Sequence, residues 1–161
     1  MGSATTGKSS NPKNSEDFEM QTVRQVLQAK GREVWTIGPE TSVYDALALM
    51  ADKEIGALVV TQGSKVLGLL SERDYARNVA LQGRKSRETA VGEIMTTKVA
   101  CVGPDQTVQD CMSIMTEMRV RHLPVLDGET LYGIVSIGDL VKAIIEEQEV
   151  LIEHLVRYIN G

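Results

Sequence analysis

The sequence predicts a mixed α/β (α+β) fold in which two copies of a βαββα unit pack against each other. Residues 34–75 and 99–140 align without a gap at an offset of 65, and 12 of the 42 aligned positions are identical. Within each copy, helix-like and strand-like apolar spacing follow in the same order. A unit of about 60 residues cannot cover its own sheet face, so we expect the copies to pack around a pseudo-twofold axis.

This duplication divides the chain into four segments. Residues 1–21 are rich in Gly, Ser, Thr, Asn and Lys, and we expect a disordered tail or an artificial leader there because such a composition buries little apolar surface. Residues 22–83 form the first repeat and residues 84–145 the second. Residues 146–161 extend the last helix.

Each repeat is expected to follow one order of elements. In the first repeat, Val23, Val26 and Leu27 have helical spacing and precede Gly31, which ends the helix. The predicted elements after it are a short strand at 34–37, a helix at 43–50, a hairpin of strands at 57–61 and 66–70, and a helix at 71–82.

The final helix is much longer than its counterpart in the first repeat. Its apolar residues keep helical spacing to the end of the chain, although the added turns have no internal partner. We therefore expect these turns to pair with another chain. The stripe consists of Val141, Ile144, Ile145, Leu151, Ile152, Leu155 and Ile159.

Composition and charge narrow the function classes. A net charge of −5 argues against a nucleic-acid partner or an acidic membrane surface. The two cysteines, Cys101 and Cys111, have no metal-ligand spacing, and we expect no metal site. Because no apolar run approaches the roughly 18 residues of a membrane helix, a cytoplasmic location without membrane contact is expected.

A Ser-x-x-Asp turn recurs at the same place in both repeats, as Ser71–Asp74 and Ser136–Asp139. Each turn follows an apolar strand and opens a helix. The Asp could accept hydrogen bonds from two ribose hydroxyls, and a helix N-terminus favours anions. Alternatively, each turn is only a capping box, as at Ser42 and Asp45. The residues alone leave both interpretations open.

Basic residues differ between the repeats. The second repeat carries Arg119, Arg121 and His122 before its hairpin, where the first repeat has Glu54, Gly56 and Ala57; Arg73 and Arg77 instead follow Ser71. Each half thus has its own candidate phosphate-binding cluster. For Arg119 the alternative is a solvated surface position.

The sequence gives no support for an enzyme. It contains no Ser/His/Asp set, no Gly-rich phosphate loop and no paired carboxylates, and His154 lies within a helical stripe. We therefore predict no catalytic residues.

Together these motifs resemble a tandem pair of cystathionine-β-synthase-type (CBS) domains, called a Bateman module. The resemblance rests on the repeated Gly-h-h-Ser-x-x-Asp, on the strands GALVV and RHLPV, and on SERDYAR, and it covers about residues 22–145. It implies a disc-shaped tandem that binds adenine nucleotides, such as AMP, ADP, ATP or NAD(H), in clefts between the repeats, commonly as a homodimer.

The resemblance also implies two sets of site residues. In both, the Ser-x-x-Asp turn holds ribose, and the segments before the first and second strands of the other repeat receive adenine. The first set is Ser136, Gly138, Asp139, Val34, Trp35, Ile55, Gly56 and Ala57, with Arg119, Arg121 and His122 toward the phosphates. The second set is Ser71, Arg73, Asp74, Lys98, Val99, Val120, Arg121 and His122.

The implied function is a stand-alone sensor of energy state that signals by altered dimer geometry or partner affinity. Because the first repeat lacks a match to Arg121 and His122, the Asp139 cleft is favoured for AMP, and a larger ligand such as NAD(H) could occupy one cleft. The alternative is an adaptor that dimerises through its last helix and ignores nucleotides.

Overall fold

The computed structural model describes residues 20–160. Residues 1–19, most of the expected tail, lie outside it. The elements are α1 (Val23–Lys30), β1 (Thr36–Ile37), α2 (Val43–Lys53), β2 (Ala57–Gln62), β3 (Lys65–Ser71), α3 (Glu72–Tyr75), α4 (Val91–Ile94), α5 (Val108–Met118), β4 (His122–Asp127), β5 (Thr130–Ser136) and α6 (Ile137–Asn160).

The two hairpins have the same architecture, which confirms the duplicated fold. Strands β2 and β3 pair antiparallel, as do β4 and β5. Each hairpin shifts register at the same point, between Val60 and Thr61 in the first and between Val125 and Leu126 in the second. A bulge at equivalent positions twists both hairpins alike.

The first strand of each unit shows a difference between the halves. Strand β1 pairs parallel with β2, with Thr36 opposite Val59. In the second half the expected strand is reduced to one parallel bridge between Val102 and Val125. The residue equivalent to Val59 is Pro124, which has no N–H group with which to extend the ladder.

Helices α1 and α4 exchange places between the halves. The Val23 N–H donates to the Gln106 carbonyl at 2.8 Å, and the Val91 N–H donates to the Thr41 carbonyl at 2.8 Å. Apolar residues of α1 therefore lie in the core of the second half, and those of α4 lie in the core of the first. The helix that precedes each aligned repeat along the chain therefore packs into the core of the other repeat. The boundaries of the four segments along the chain stay predictions.

Helices α2 and α5 end in the same way, and each end directs the following strand, β2 or β4, toward the interface between the halves. Both helices end at a residue in the left-handed conformation, Glu54 with φ of 54° and Arg119 with φ of 55°. The chain therefore turns sharply and enters β2 or β4 within three residues. The turn brings Gly56 and Arg121 to equivalent places beside a cleft.

Two helices depart from the expected pattern in different ways. The helix predicted at 71–82 is α-helical only over α3 and continues as a π-helix, Ala76–Ala80. Helix α6 extends over 24 residues, as expected for the last element. Its buried residues are Leu140 and Ala143, and many of its other apolar side chains are exposed. Pairing of α6 with another chain stays a prediction.

Candidate functional site

A cleft of about 320 Å³ lies between the end of α1, the start of β2 and the start of α6. We call it the Asp139 cleft. It brings together most of the first predicted set with several residues that the set omitted. Its lining is Lys30, Glu33, Val34, Trp35, Glu54, Ile55, Gly56, Ala57, His122, Ile134, Ser136 and Asp139.

The carboxylate of Asp139 is held by its own turn and by a lysine from α1. The Ser136 N–H donates to Asp139 Oδ2 at 2.8 Å, and the Asp139 N–H donates to Ser136 Oγ at 3.2 Å. Lys30 Nζ donates to the same Oδ2 at 2.5 Å and to the Ile134 carbonyl at 2.9 Å. Burial alone would raise the pKa of Asp139, but the hydrogen bonds from Lys30 and Ser136 outweigh burial and lower it.

A second cleft, of about 400 Å³, lies at the equivalent place around the first turn, and we call it the Asp74 cleft. It contains the whole second predicted set, namely Ser71, Arg73, Asp74, Lys98, Val99, Val120, Arg121 and His122. The other lining residues are Gly56, Leu69, Glu72, Arg77, Thr96, Ala100, Met118 and Arg119.

The carboxylate of Asp74 has a different third partner. Its Oδ2 accepts from the Ser71 N–H at 2.9 Å and from Ser71 Oγ at 3.0 Å, so this turn is also a capping box. Its Oδ1 accepts from Thr96 Oγ1 at 3.1 Å. Thr96 is fixed because its backbone exchanges two hydrogen bonds with Leu69, of 3.0 and 2.9 Å. The partner from outside the turn is therefore a neutral hydroxyl on Oδ1 of Asp74, whereas it is the Lys30 ammonium group on Oδ2 of Asp139.

The structure corrects the expected position of two arginines. We expected Arg119 and Arg121 to face phosphates in the first cleft, but neither lines it. Both line the Asp74 cleft, for which Arg121 was also predicted. The reason is the crossed packing of the halves: the segment before β4 faces the turn that follows β3. Arg73 Nη1 donates to the Arg119 carbonyl at 2.8 Å, which ties this segment to that turn.

Gly56 and His122 form the wall that the two clefts share, since both residues line each of them. A Cβ added to Gly56 would lie 3.5 Å from the His122 ring, so the wall is thin and closely packed at this point. Burial lowers the pKa of His122, and the positive charges of Lys30 and Arg121 lower it further, against the opposing effect of Asp139.

Polar lining residues that the sequence reasoning missed include Lys30, Glu33, Glu54 and Thr96. Lys30 and Thr96 belong to segments that pack in the opposite half, so their distance along the chain from Asp139 and Asp74 gave no signal. Glu54 could have been found, because it directly precedes the predicted residue Ile55. Conversely, Gly138 lies within the first turn of α6 but does not line the Asp139 cleft.

A third depression, of about 540 Å³, is open to solvent and lies between the π-helical segment and α4. Its lining includes Asn78, Arg84 and Glu93, with Arg84 Nη2 donating to Glu93 Oε1 at 2.9 Å. Because its lining contains no residue of a Ser-x-x-Asp turn, we assign the candidate site to the two paired clefts.

The fold and the paired clefts define a class of protein. The family model of the CBS domain matches residues 23–81 and 91–146 of this chain. The chain therefore belongs to the CBS domain family, with two CBS repeats, as the motifs indicated.

Among similar proteins, the mitochondrial CBS domain-containing protein CBSX3 of Arabidopsis thaliana is 38% identical over 154 residues, spanning 89% of this chain and 74% of its own. A putative signal-transduction protein with CBS domains from Burkholderia ambifaria is 53% identical, with a TM-score of 0.77, and covers 80% of this chain and 96% of its own. The CBS-domain protein ATU1752 of Agrobacterium tumefaciens is 42% identical, with a TM-score of 0.73 and coverage of 76% and 98%.

Between residues 20 and 160, no group of three or more His, Cys, Asp or Glu side chains is arranged to hold a metal ion. Over that range no helix is both long and apolar enough to cross a membrane.

Proposed function

We propose that this CBS pair is a regulatory module that binds adenine-containing ligands in its two clefts, and that the phosphate groups of an adenine nucleotide lie in the Asp74 cleft. The observation that carries the proposal is the set of basic side chains around the Ser71–Asp74 turn. They come from both halves and are Arg73, Arg77, Lys98, Arg119 and Arg121. In a chain of net charge −5, five cations around one cleft favour an anionic ligand.

Each part of the Asp74 cleft has a role in the proposal. Asp74 accepts the ribose hydroxyls, for which the Thr96 hydroxyl yields its place on Oδ1. Val99 and Val120 contact the adenine ring, because they are partly buried apolar residues of the cleft lining. The guanidinium groups bind the phosphates, since Arg can donate two parallel hydrogen bonds to phosphate oxygens.

Thermal unfolding tests the proposal directly. AMP, ADP, ATP and NAD(H) are each titrated, with uridine nucleotides as controls for charge alone. A ligand at about a hundred times its dissociation constant stabilises the native state by roughly 2.7 kcal/mol, which appears as a higher Tm. No shift with any adenine compound would rule out nucleotide binding.

The signalling output that we propose is a change in the geometry of a homodimer, or in affinity for a partner protein. Either output requires that the nucleotide favours one of two states. The names of similar proteins, such as the Burkholderia signal-transduction protein, fit a regulatory role rather than an enzymatic one. The CBS pair of protein MJ0100 was crystallised with 5′-methylthioadenosine and S-adenosyl-L-methionine, but at 21% identity it supports only the fold of this chain.

Helix α6 favours the alternative function, a dimerising adaptor that does not respond to nucleotides. Its last turns expose large apolar side chains, among them Ile152 at 58% and Ile159 at 78%. Burial of such residues against a second copy would drive dimerisation. Analytical ultracentrifugation of a chain truncated after Glu146 tests this function. If the adaptor dimerises through the last turns of α6, the truncated chain is a monomer; a truncated chain that is still a dimer contradicts the adaptor function.

The cellular compartment belongs to the same proposal. We keep the cytoplasm as the expected location, although the Arabidopsis relative is described as mitochondrial. Fractionation of the source cells with an antibody to the chain would distinguish the two compartments.

A further inference from the structure

The Asp139 cleft has a charge opposite to that of the Asp74 cleft. Its ionisable lining residues are Lys30, Glu33, Glu54, His122 and Asp139. Partial burial lowers the pKa of His122 and so favours its neutral form at pH 7, which leaves three carboxylates facing the single ammonium group of Lys30. In the Asp74 cleft five cations face only two carboxylates, Glu72 and Asp74.

The one cation of the Asp139 cleft is already engaged. Lys30 Nζ donates to the Asp139 carboxylate and to the Ile134 carbonyl, so two of its three N–H bonds point into the wall. Among the lining residues that the structure describes, no other Lys or Arg is present to meet a phosphate. Glu33 and Glu54 are the exposed carboxylates of this lining, and we call them the rim carboxylates.

The rest of the cleft suits an uncharged ring and a sugar. The walls beside Trp35 are formed by apolar side chains from both halves, Val34, Ile55, Ala57 and Ile134. The bonds that the structure shows to the Asp139 carboxylate all go to Oδ2, which leaves Oδ1 for a ribose hydroxyl. A flat base between apolar walls and a hydroxyl on a carboxylate are the parts of a nucleoside site.

We propose that the Asp139 cleft takes an adenine nucleoside without phosphate groups, while the phosphorylated nucleotide binds in the Asp74 cleft. The inference rests on the proposed function and names a different ligand class for each cleft. A phosphate in the Asp139 cleft would face two rim carboxylates without a free cation, so its charge would be desolvated and repelled. Adenosine, or an adenosine with a neutral or positively charged 5′ substituent, has no such penalty.

Isothermal titration of the full chain with adenosine and with ATP tests the assignment. We expect one site for each ligand in the wild type. Asp139→Asn should lower the affinity for adenosine at least tenfold and leave the affinity for ATP unchanged. Asp74→Asn should lower the affinity for ATP and leave the affinity for adenosine unchanged. Raising the salt concentration should weaken ATP alone, since only its site depends on exposed charge pairs.

A charge variant provides a second test that does not touch either aspartate. Glu33→Gln combined with Glu54→Gln removes the rim carboxylates and should admit a second ATP, while Glu129→Gln in the β4–β5 turn should not. Two equal ATP sites in the wild type would overturn the inference, and so would a double variant that still binds one ATP. If neither adenosine nor ATP binds, the proposed function itself fails.

Discussion

The Asp74 and Asp139 clefts are built from the same turn at equivalent positions, yet their carboxylates have different partners. In both, a Ser-x-x-Asp turn fixes the Asp by a bond from the Ser N–H to Oδ2. The Thr96 hydroxyl donates a hydrogen bond to the Asp74 carboxylate, and the Lys30 ammonium group donates one to the Asp139 carboxylate. The duplication thus preserved the turn, while segments outside the aligned repeat gave the two clefts different chemistry.

The length of the swapped helices explains this difference. Helix α4 has four residues, so the chain leaves it early and Thr96 reaches β3 as extended backbone. Helix α1 has eight residues and ends only at Lys30, whose side chain then spans the gap to β5. Because α1 is one helical turn longer than α4, the side chain of Lys30 supplies an ammonium group in the second half, whereas Thr96 forms a backbone bridge to β3 in the first half.

The largest expected effect on the comparison comes from the arginines of the Asp74 cleft. Arg119→Gln combined with Arg121→Gln should lower ATP affinity by at least about a hundredfold, because each charged hydrogen bond contributes roughly 1.5–3 kcal/mol. Adenosine binding should stay within twofold, measured by titration calorimetry. Lys65→Gln, at the exposed start of β3, is the matched control. Equal losses for ATP and adenosine would mean that the clefts do not differ in charge preference.

The glycines that support the swapped segments should differ in their tolerance of a methyl group. At Gly68 a Cβ would lie 2.7 Å from the Thr96 carbonyl oxygen, a backbone atom that the β3 pairing holds in place. At Gly133 it would lie 2.7 Å from Leu27 Cδ1, a side-chain atom that can shift. We expect Gly68→Ala to destabilise by about 2–3 kcal/mol and Gly133→Ala by about 1 kcal/mol in urea unfolding. A reversed order would show that the Thr96 segment is the looser support.

The smallest expected effect is on the pH dependence of folding stability that arises from the ion pair between Lys30 and Asp139. The pKa of Asp139 is lowered in the folded state, so its stabilising contribution is complete above the ordinary carboxyl pKa and is lost as pH falls through the folded value. Lys30→Met should therefore destabilise by about 1 kcal/mol at pH 7, and the deficit should shrink below about pH 4. Urea unfolding at pH 7 and pH 3 measures it, with Lys65→Met as control. A constant deficit would assign the effect to packing instead of charge.

Sequence reasoning predicted most of the fold, and the reasons are local. Apolar periodicity located α1, α2, α5 and α6, and the glycine-containing turns located both hairpins. The reduction of the first strand of the second half to a single bridge was not predicted. Pro124 causes it, since it lacks the N–H group that a ladder hydrogen bond needs. The π-helical segment was missed because it has the same apolar spacing as an α-helix over one turn.

The sequence by itself determined the duplication, the two Ser-x-x-Asp turns and the elements that carry them, since these depend on spacing along the chain. Only the tertiary structure decided which distant groups meet those turns. The exchange of α1 and α4 brought Lys30 to Asp139 and Thr96 to Asp74, and the crossing of the halves moved Arg119 and Arg121 to the Asp74 cleft. Charge in a cleft is a sum over residues brought together by packing, and no local pattern encodes that sum.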